Sequence, residues 1–240
     1  MLPAPLIVFD LDGTLIDSAP DLLATLAIVL DLHGFDATPD PSLRAGIGHG
    51  ARHLIEYSLH QQKIALEPRK LDRLHADFLA HYEANIAVHT RPYPGLVAAL
   101  DRLAVAGFVF AVCTNKPEGL SRKVLSELGF ADRFAAICGG DTFASRKPDP
   151  RHLLSTVAAA KGSAERTIMV GDSRTDLDTA RPAGVPFIGV SFGYTPVPMA
   201  ELQPDLLIQS FSELTADAVL RLLRRARPES APLAPRSPAA

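Results

Sequence analysis

Two aspartates near the start of the chain, Asp10 and Asp12, stand directly after a short apolar run and before the pair Gly13-Thr14. The run has the length of a buried strand, and Gly-Thr breaks it. Carboxylates at the carboxyl end of a strand lie where open α/β sheets bind ligands. Two close carboxylates repel each other unless a cation separates them, which indicates a hard ion such as Mg²⁺. Taken alone, the pair is better explained as a solvated loop, so a cation site depends on residues elsewhere.

Two further stretches that follow predicted strands carry groups suited to phosphate. Thr114 has a hydroxyl and Asn115 an amide, and their loop exposes backbone N–H groups that bind phosphate oxygens. The same residues can instead cap the helix that follows. Lys147 precedes Pro148, and the stiffened chain would present its ammonium as a fixed cation beside a phosphate. The alternative for Lys147 is an exposed lysine ahead of a helix that begins with proline.

A third stretch adds two more acids. Asp172 follows an apolar strand and is placed to complete a hard-cation site with Asp10 and Asp12. Asp176, four residues later, falls at the start of the next helix. It can accept hydrogen bonds from water around the ion or hold Lys147, or it can simply interact with the helix dipole.

The elements that must position these residues alternate along most of the chain. Beyond Gly95, apolar runs of strand length are separated by helical stretches. Such alternation predicts βαβ units and an α/β fold with a parallel sheet covered by helices on both faces. The predicted strands are 108–113, 135–138, 167–170, 187–190 and 205–208. The predicted helices are 96–106, 118–128, 151–161, 177–183 and 212–225.

Between Asp17 and Val88 the pattern predicts helices alone. Ser18 is suited to cap the first of them, which ends at Gly34, and a glycine-rich turn over 46–50 precedes the second. The second and third helices are predicted over 51–62 and 68–86.

This pattern predicts an organisation in two units and a tail. The α/β core comprises 1–16 and 92–227, and the helical unit 17–91 interrupts it, with hinges near Ile16 and Pro92. The last residues, 228–240, are mostly Pro, Ala and Ser and cannot bury a core, which predicts a disordered tail.

Composition narrows the class of protein. The chain of 240 residues has a formal net charge of −3, which provides no basic surface for nucleic acid. It has no uninterrupted apolar stretch of about 18 residues, which argues against a membrane span, and no basic leader with a long apolar region. Its two cysteines, Cys113 and Cys138, lie in apolar runs and are expected to be buried thiols in a reducing compartment. We expect a soluble cytoplasmic protein with a small-molecule partner.

Taken together, the four motifs resemble those of the phosphatases of the haloacid dehalogenase (HAD) superfamily. Asp-Leu-Asp-Gly-Thr-Leu, Thr-Asn, Lys-Pro and Gly-Asp-x-x-x-Asp occur in that order over the chain up to about Arg225. The helical unit matches the position of the small α-helical cap of that superfamily. The resemblance implies a Rossmann-like parallel-sheet core with a cap inserted after the first strand.

The same resemblance implies a role for each motif. Asp10 is the nucleophile that forms an aspartyl-phosphate, and Asp12 is the general acid and base. Mg²⁺ is held by the Asp10 side chain, the Asp12 backbone carbonyl and Asp172, with Asp176 in the surrounding shell. The residues expected to bind the transferring phosphoryl group are Thr114, the Asn115 backbone N–H and Lys147.

Two features favour a phosphatase over its relatives. Asp12 is the second acid that dehalogenases lack. Phosphonatases use a cap lysine for a Schiff base, whereas Lys63 and Lys70 have polar, surface-like neighbours.

Several stretches, 9–21, 47–50, 113–117 and 146–150, resemble the bacterial phosphoglycolate phosphatases. This implies hydrolysis of 2-phosphoglycolate to glycolate and phosphate. In such a protein the cap turn closes over the core, and the candidate contacts to the substrate carboxylate are Gly48, His49 and Arg52.

Other functions remain open from the sequence. A sugar-phosphate or nucleotide monophosphatase, or a phosphomutase, would share every core residue. A non-catalytic phosphate-binding protein on the same fold is disfavoured because both Asp10 and Asp12 are present. The sequence leaves open whether the protein is a monomer or a homodimer.

Overall fold

The structure is a computed structural model that describes residues 3–38 and 40–226. The predicted tail at 228–240 lies outside the described residues. The strands, in chain order, are β1 (Leu6–Phe9), β2 (Ile16–Asp17), β3 (Arg91–Pro92), β4 (Val109–Cys113), β5 (Ala136–Cys138), β6 (Thr167–Gly171), β7 (Phe187–Val190) and β8 (Leu206–Ile208). The α-helices are α1 (Ala19–Leu32), α2 (Ala51–Gln61), α3 (Pro68–Ala84), α4 (Leu96–Val105), α5 (Glu118–Glu127), α6 (Pro150–Ala159), α7 (Arg174–Ala180) and α8 (Ala216–Arg225).

Six strands form one parallel sheet in the order β5-β4-β1-β6-β7-β8. Strand β1 lies between β4 and β6, and Phe9 is in register with Val112 on one side and Val170 on the other. The chain therefore adds β4 and β5 on one side of β1 and β6, β7 and β8 on the other. The carboxyl ends of β1, β4 and β6 meet at this switch point in the strand order. The predicted α/β class with a Rossmann-like sheet is confirmed.

Helices cover both faces of the sheet because side chains alternate along each strand. Ile7 and Phe9 belong to the larger apolar cluster, and Leu6 and Val8 belong to a smaller cluster on the opposite face. All four side chains are buried. Because β1 is buried on both faces, its sequence is an unbroken run of apolar residues.

The segment between β2 and β3 contains α1, α2 and α3. Helix α1 packs against α3, and α2 packs against α3. Phe78 and Tyr82 of α3 are fully buried. The glycine-rich turn predicted at 46–50 is mostly helical instead: a 3₁₀ helix spans Pro41–His49, and Gly50, at φ +94°, separates it from α2.

The prediction of helices alone from Asp17 onward is wrong at its first residue. Asp17 lies in β2, which pairs antiparallel with β3, so that Ile16 faces Pro92 and Asp17 faces Arg91. The two connections between the helical segment and the sheet are thereby held side by side. A two-residue strand has no periodicity that a sequence pattern could reveal.

Two helix starts and one cap differ from the predictions. Ser18 occupies the predicted N-cap position of α1, but its side chain makes no capping bond. Helix α7 begins three residues earlier than expected, at Arg174, behind the capping residue Ser173. Helix α8 begins at Ala216 because Thr215 caps it by accepting a hydrogen bond from the Ala218 N–H.

Both cysteines are buried free thiols, and Cys113 and Cys138 are register partners in β4 and β5. Among the described residues, no helix combines the length and the apolarity that crossing a bilayer requires.

Candidate active site

Three buried carboxylates meet at the switch point of the sheet. Asp10, Asp172 and Asp176 each place an oxygen within 4.8 Å of the others. Asp10 follows β1, Asp172 follows β6, and Asp176 is in the first turn of α7. The Lys147 ammonium lies 2.8 Å from Asp10 Oδ1 and donates to Asp176 Oδ1 at 2.6 Å. The structure therefore brings together four of the residues that the sequence singled out.

The electrostatics of this cluster are those of crowded acids around one cation. Burial, followed by the charge of Asp176, raises the pKa of Asp10 from 3.8 to about 7, although Lys147 opposes the rise. Burial and the charges of Asp176 and Asp10 also raise the pKa of Asp172. Burial lowers the pKa of Lys147, but Asp10 and Asp176 outweigh burial and the net change is upward. The cluster has more negative charge than Lys147 offsets.

The turn after β1 explains how Asp10 and Asp172 come so close. Gly13 adopts φ +85°, and its backbone donates to the Ile16 carbonyl to close the turn. A Cβ at this position would lie 2.5 Å from Asp172 Oδ2, so only glycine leaves room for that carboxylate. Asp172 also accepts from the Tyr194 N–H at 2.7 Å and from the Thr14 hydroxyl at 3.3 Å.

Asp176 is oriented by the start of its own helix. Ser173 and Asp176 form a reciprocal capping box at the N-terminus of α7. Asp176 Oδ2 accepts from the Ser173 N–H and hydroxyl at 3.1 and 2.6 Å, which leaves Oδ1 for Lys147. Of the alternatives for Asp176, holding Lys147 and stabilising the helix start are therefore both observed.

The loop after β4 lies beside the carboxylates. Thr114 is buried, and its hydroxyl accepts from the Lys116 N–H at 3.2 Å. The Asn115 side-chain amide donates to the Lys147 carbonyl at 3.2 Å, which links the two loops. Asp10, Thr114 and Asn115 line one cavity together with side chains of the helical segment.

Asp12 points away from the carboxylate cluster. Its Oδ1 accepts from the Ser18 hydroxyl at 2.5 Å, and the Lys116 ammonium lies 3.1 and 3.2 Å from its two oxygens. Lys116 Nζ also donates to the Tyr82 hydroxyl at 2.9 Å. Ser18 is thus engaged by the acid instead of capping α1.

Lys116 and Tyr82 were missed by the sequence reasoning. Lys116 adjoins the Thr-Asn pair, which was the available signal. Tyr82 belongs to α3, far away in the chain, and its position gave no signal. Burial lowers the pKa of Lys116, but Asp12 and Tyr82 outweigh it and raise the pKa to about 12, so the buried side chain is an ammonium.

The three candidates of the helical segment have different positions. Gly48 lines the cavity that contains Asp10 and Asp12. His49 Nδ1 lies 3.4 Å from the Thr175 hydroxyl, on the neighbouring side of the carboxylates. The Arg52 guanidinium is directed along the surface to Asp72, at 2.7 Å, and Glu56, at 3.6 Å. Lys63 and Lys70 are exposed.

The carboxylate cluster suits a hard divalent cation. Its donors are carboxylate oxygens, the ligands that Mg²⁺ prefers. Asp10 Oδ1 is buried and, although near Lys147, has no hydrogen bond of proper geometry among the described residues. Burial, followed by repulsion from neighbouring carboxylates, raises the pKa values of Asp10 and Asp172, and a bound cation would offset both effects.

Comparison with known proteins gives concordant results. Residues 7–190 match the family described as haloacid dehalogenase-like hydrolase. A phosphoglycolate phosphatase of Mesorhizobium japonicum is 48% identical over 222 residues, which cover 92% of this chain and 98% of the relative. A phosphoglycolate phosphatase of Agrobacterium fabrum is 47% identical over 212 residues, covering 88% and 91%.

A solved structure agrees with the fold. The crystal structure of a predicted phosphoglycolate phosphatase from Haemophilus somnus superposes with a TM-score of 0.81 at 27% identity, covering 88% of this chain and 96% of that one. With the sheet order and the clustered motifs, these matches establish that the chain belongs to the haloacid dehalogenase-like hydrolase family.

Proposed function

We propose that this protein is a Mg²⁺-dependent phosphomonoester hydrolase that converts 2-phosphoglycolate to glycolate and phosphate. The observation that carries the reaction type is the meeting of Asp10, Asp172 and Lys147 beside Thr114 at the ends of three adjacent strands. The substrate is supported by the relatives named phosphoglycolate phosphatase, which match most of the chain at up to 48% identity.

In the first step, an oxygen of Asp10 attacks phosphorus while the bond from phosphorus to the glycolate oxygen breaks. Asp12 protonates that leaving oxygen. In the second step, Asp12 takes a proton from water, the water oxygen bonds to phosphorus, and the bond to Asp10 breaks. The nucleophile is thereby regenerated.

The phosphoryl group is bound by the Thr114 hydroxyl, the Asn115 backbone N–H and the Lys147 ammonium. Lys147 suits this task because its buried ammonium already lies against Asp10 and so can face a group that reacts there. Mg²⁺ would be held by the Asp10 side chain, the Asp12 backbone carbonyl and Asp172, with Asp176 in the surrounding shell. When bound, the ion offsets the repulsion between carboxylate and phosphoryl group.

We further propose that 17–91 forms a cap over a core made of 1–16 and 92–227. Contacts from this segment to the loops of the site support the proposal: Tyr82 with Lys116, and His49 with Thr175. The cavity between them is about 30 Å³, so we expect the cap to open when a substrate enters and to close over it again. The β2–β3 pair is the proposed hinge.

The test of the activity is phosphate release from a panel of monophosphates, with and without Mg²⁺. We expect 2-phosphoglycolate to have a higher kcat/KM than sugar phosphates and nucleotides. Failure to release phosphate from any of them in a Mg²⁺-dependent manner would refute the enzyme assignment, and a preferred sugar phosphate would refute the substrate.

The test of the nucleophile is Asp10→Asn, which keeps the size of the side chain but removes its charge. We expect no measurable turnover from a variant whose circular dichroism is that of the parent. Activity near that of the parent would reject Asp10 as nucleophile.

A further inference from the structure

We propose that Lys116, together with the Tyr82 hydroxyl, binds the carboxylate of the substrate and makes the site selective for acidic phosphomonoesters. This inference rests on the proposed function and assigns its substrate selectivity to two residues. It also replaces Arg52, on the surface of α2, as the expected cation for the substrate carboxylate.

The charge around the cavity above Asp10 favours this assignment. Among the residues that the structure describes, Lys116 contributes the one cationic side chain to its wall. The side of the cavity formed by the helical segment is otherwise largely apolar, with Ile47, Leu54 and Phe78 among its residues. A carboxylate that entered this space would be desolvated, and Lys116 is where it would find an opposite charge.

The Tyr82 hydroxyl has unused hydrogen-bonding capacity. The Tyr82 hydroxyl accepts from Lys116 Nζ, and within the described part of the chain no acceptor receives its own O–H proton. Tyr82 is only 1% exposed and lines the same cavity. Burial, as the largest cause, raises the pKa of Tyr82 to about 12, so the hydroxyl keeps that proton. A substrate carboxylate would supply the missing acceptor.

Lys116 is also well placed relative to the reacting groups. Lys116 Nζ is bonded to Asp12, the proposed proton donor to the leaving oxygen. In 2-phosphoglycolate a single methylene separates that oxygen from the carboxylate carbon. A cation in contact with Asp12 is therefore at the distance that a short acidic leaving group requires, whereas Arg52 is held by Asp72 and Glu56.

The test compares 2-phosphoglycolate with 2-phosphoglycolamide, in which a neutral amide replaces the carboxylate. The measured quantity is the ratio of their kcat/KM values. Lys116→Met keeps the length of the side chain and removes the charge, and we expect it to lower the ratio by about 10- to 100-fold, the range for loss of a charged hydrogen bond. Because Lys116 also contacts Asp12, turnover of both substrates will fall, and the ratio isolates the effect on the carboxylate.

Two further variants make the comparison decisive. Tyr82→Phe removes one hydroxyl from a residue that otherwise stays packed, and we expect a several-fold fall in the ratio even if Lys116→Met does not fold. Arg52→Met removes a cation that lies outside the cavity, and we expect an unchanged ratio. Lys116→Arg restores the charge and should recover part of the selectivity.

The outcomes separate this inference from the proposed function. If the parent prefers the acid and both Lys116→Met and Tyr82→Phe retain that preference, the inference is wrong and the proposed function stands. If Arg52→Met abolishes the preference, the carboxylate lies at the surface of α2 and the inference is again wrong. If the parent does not hydrolyse 2-phosphoglycolate at all, the proposed function itself fails.

Discussion

Removing the charge of Asp10 should stabilise the metal-free protein while it abolishes turnover. Asp10 is 3% exposed, and its oxygens share a space within 4.8 Å with those of Asp172 and Asp176. Burial and the neighbouring charge of Asp176 raise its pKa from 3.8 to about 7. Between these two pH values, Asp10 therefore keeps its proton in the folded chain and has lost it in the unfolded chain. Ionising Asp10 costs the folded chain free energy, and Asp10→Asn removes this cost.

The magnitude follows from the two pKa values. Between pH 3.8 and about 7 the folded state binds one proton more than the unfolded state, so the free energy of unfolding falls as pH rises and is level above pH 7. One pH unit of difference in pKa is worth about 1.4 kcal/mol, so ionising Asp10 in the folded chain costs about 4 kcal/mol. The free energy of unfolding of Asp10→Asn should equal that of the parent at about pH 4. Above about pH 7 it should be about 4 kcal/mol greater.

The assay is urea unfolding followed by circular dichroism, in the presence of a chelator, at about pH 5 and about pH 8. We expect the advantage of Asp10→Asn to grow by about 2 to 3 kcal/mol between these two values. The matched control is Asp178→Asn, which neutralises an exposed acid on α7 and should change the free energy of unfolding much less than Asp10→Asn does at about pH 8. Addition of Mg²⁺ should stabilise the parent more than Asp10→Asn.

An advantage that stays constant with pH, or a variant less stable than the parent at about pH 8, would refute the account of crowded carboxylates. So would an equal effect of Mg²⁺ on both proteins.

Two other predictions concern the positioning of Asp172 and of the proposed hinge. Gly13→Ala should raise the Mg²⁺ concentration that gives half-maximal activity and lower kcat/KM by about 10- to 100-fold, because the new Cβ would displace Asp172. The control is Gly34→Ala, because Gly34 has a similar φ of +75° but no atom within 4 Å of the position of a Cβ. This variant should lose about 1 kcal/mol of stability and keep the kinetics of the parent. Equal kinetics in the two variants would show that the Cβ at position 13 does not disturb Asp172. Tyr194→Phe removes two hydrogen bonds of the phenol, one to Asp17 at 2.7 Å and one from the first N–H of α1. Urea unfolding should show a loss of about 1 to 2 kcal/mol of stability. Unchanged stability would show that these bonds contribute nothing.

Much of the fold could be predicted because β strands and helices leave local signatures. The strand Phe187–Val190 was predicted with its observed bounds, and β4, β5, β6 and β8 each differ from the prediction by one residue at one end. Helix ends were less predictable where a cap decided them. Ser173 and Thr215 set the starts of α7 and α8, and each competes with neighbouring polar residues that could equally have capped.

The sequence by itself determined the groups available for chemistry and their order along the chain. Asp10, Thr114 and Asp172 follow predicted strands, Lys147 lies later in the connection from β5 to α6, and the parallel sheet brings the ends of its strands to one edge. The convergence of Asp10, Thr114 and Asp172 could therefore be inferred from strand ends alone, before any distance was known.

Only the tertiary structure decided the partners across the cavity. The pairing of Tyr82 with Lys116 joins residues 34 positions apart, and the contact of Tyr194 with Asp172 joins a loop to the end of β6. Such contacts depend on how the helical segment packs over the sheet, and packing leaves no periodic signal in either partner. Asp10 and Asp12, which are neighbours in the sequence, consequently separate: Asp10 belongs to the buried carboxylate cluster, whereas Asp12 belongs with Ser18 and Lys116.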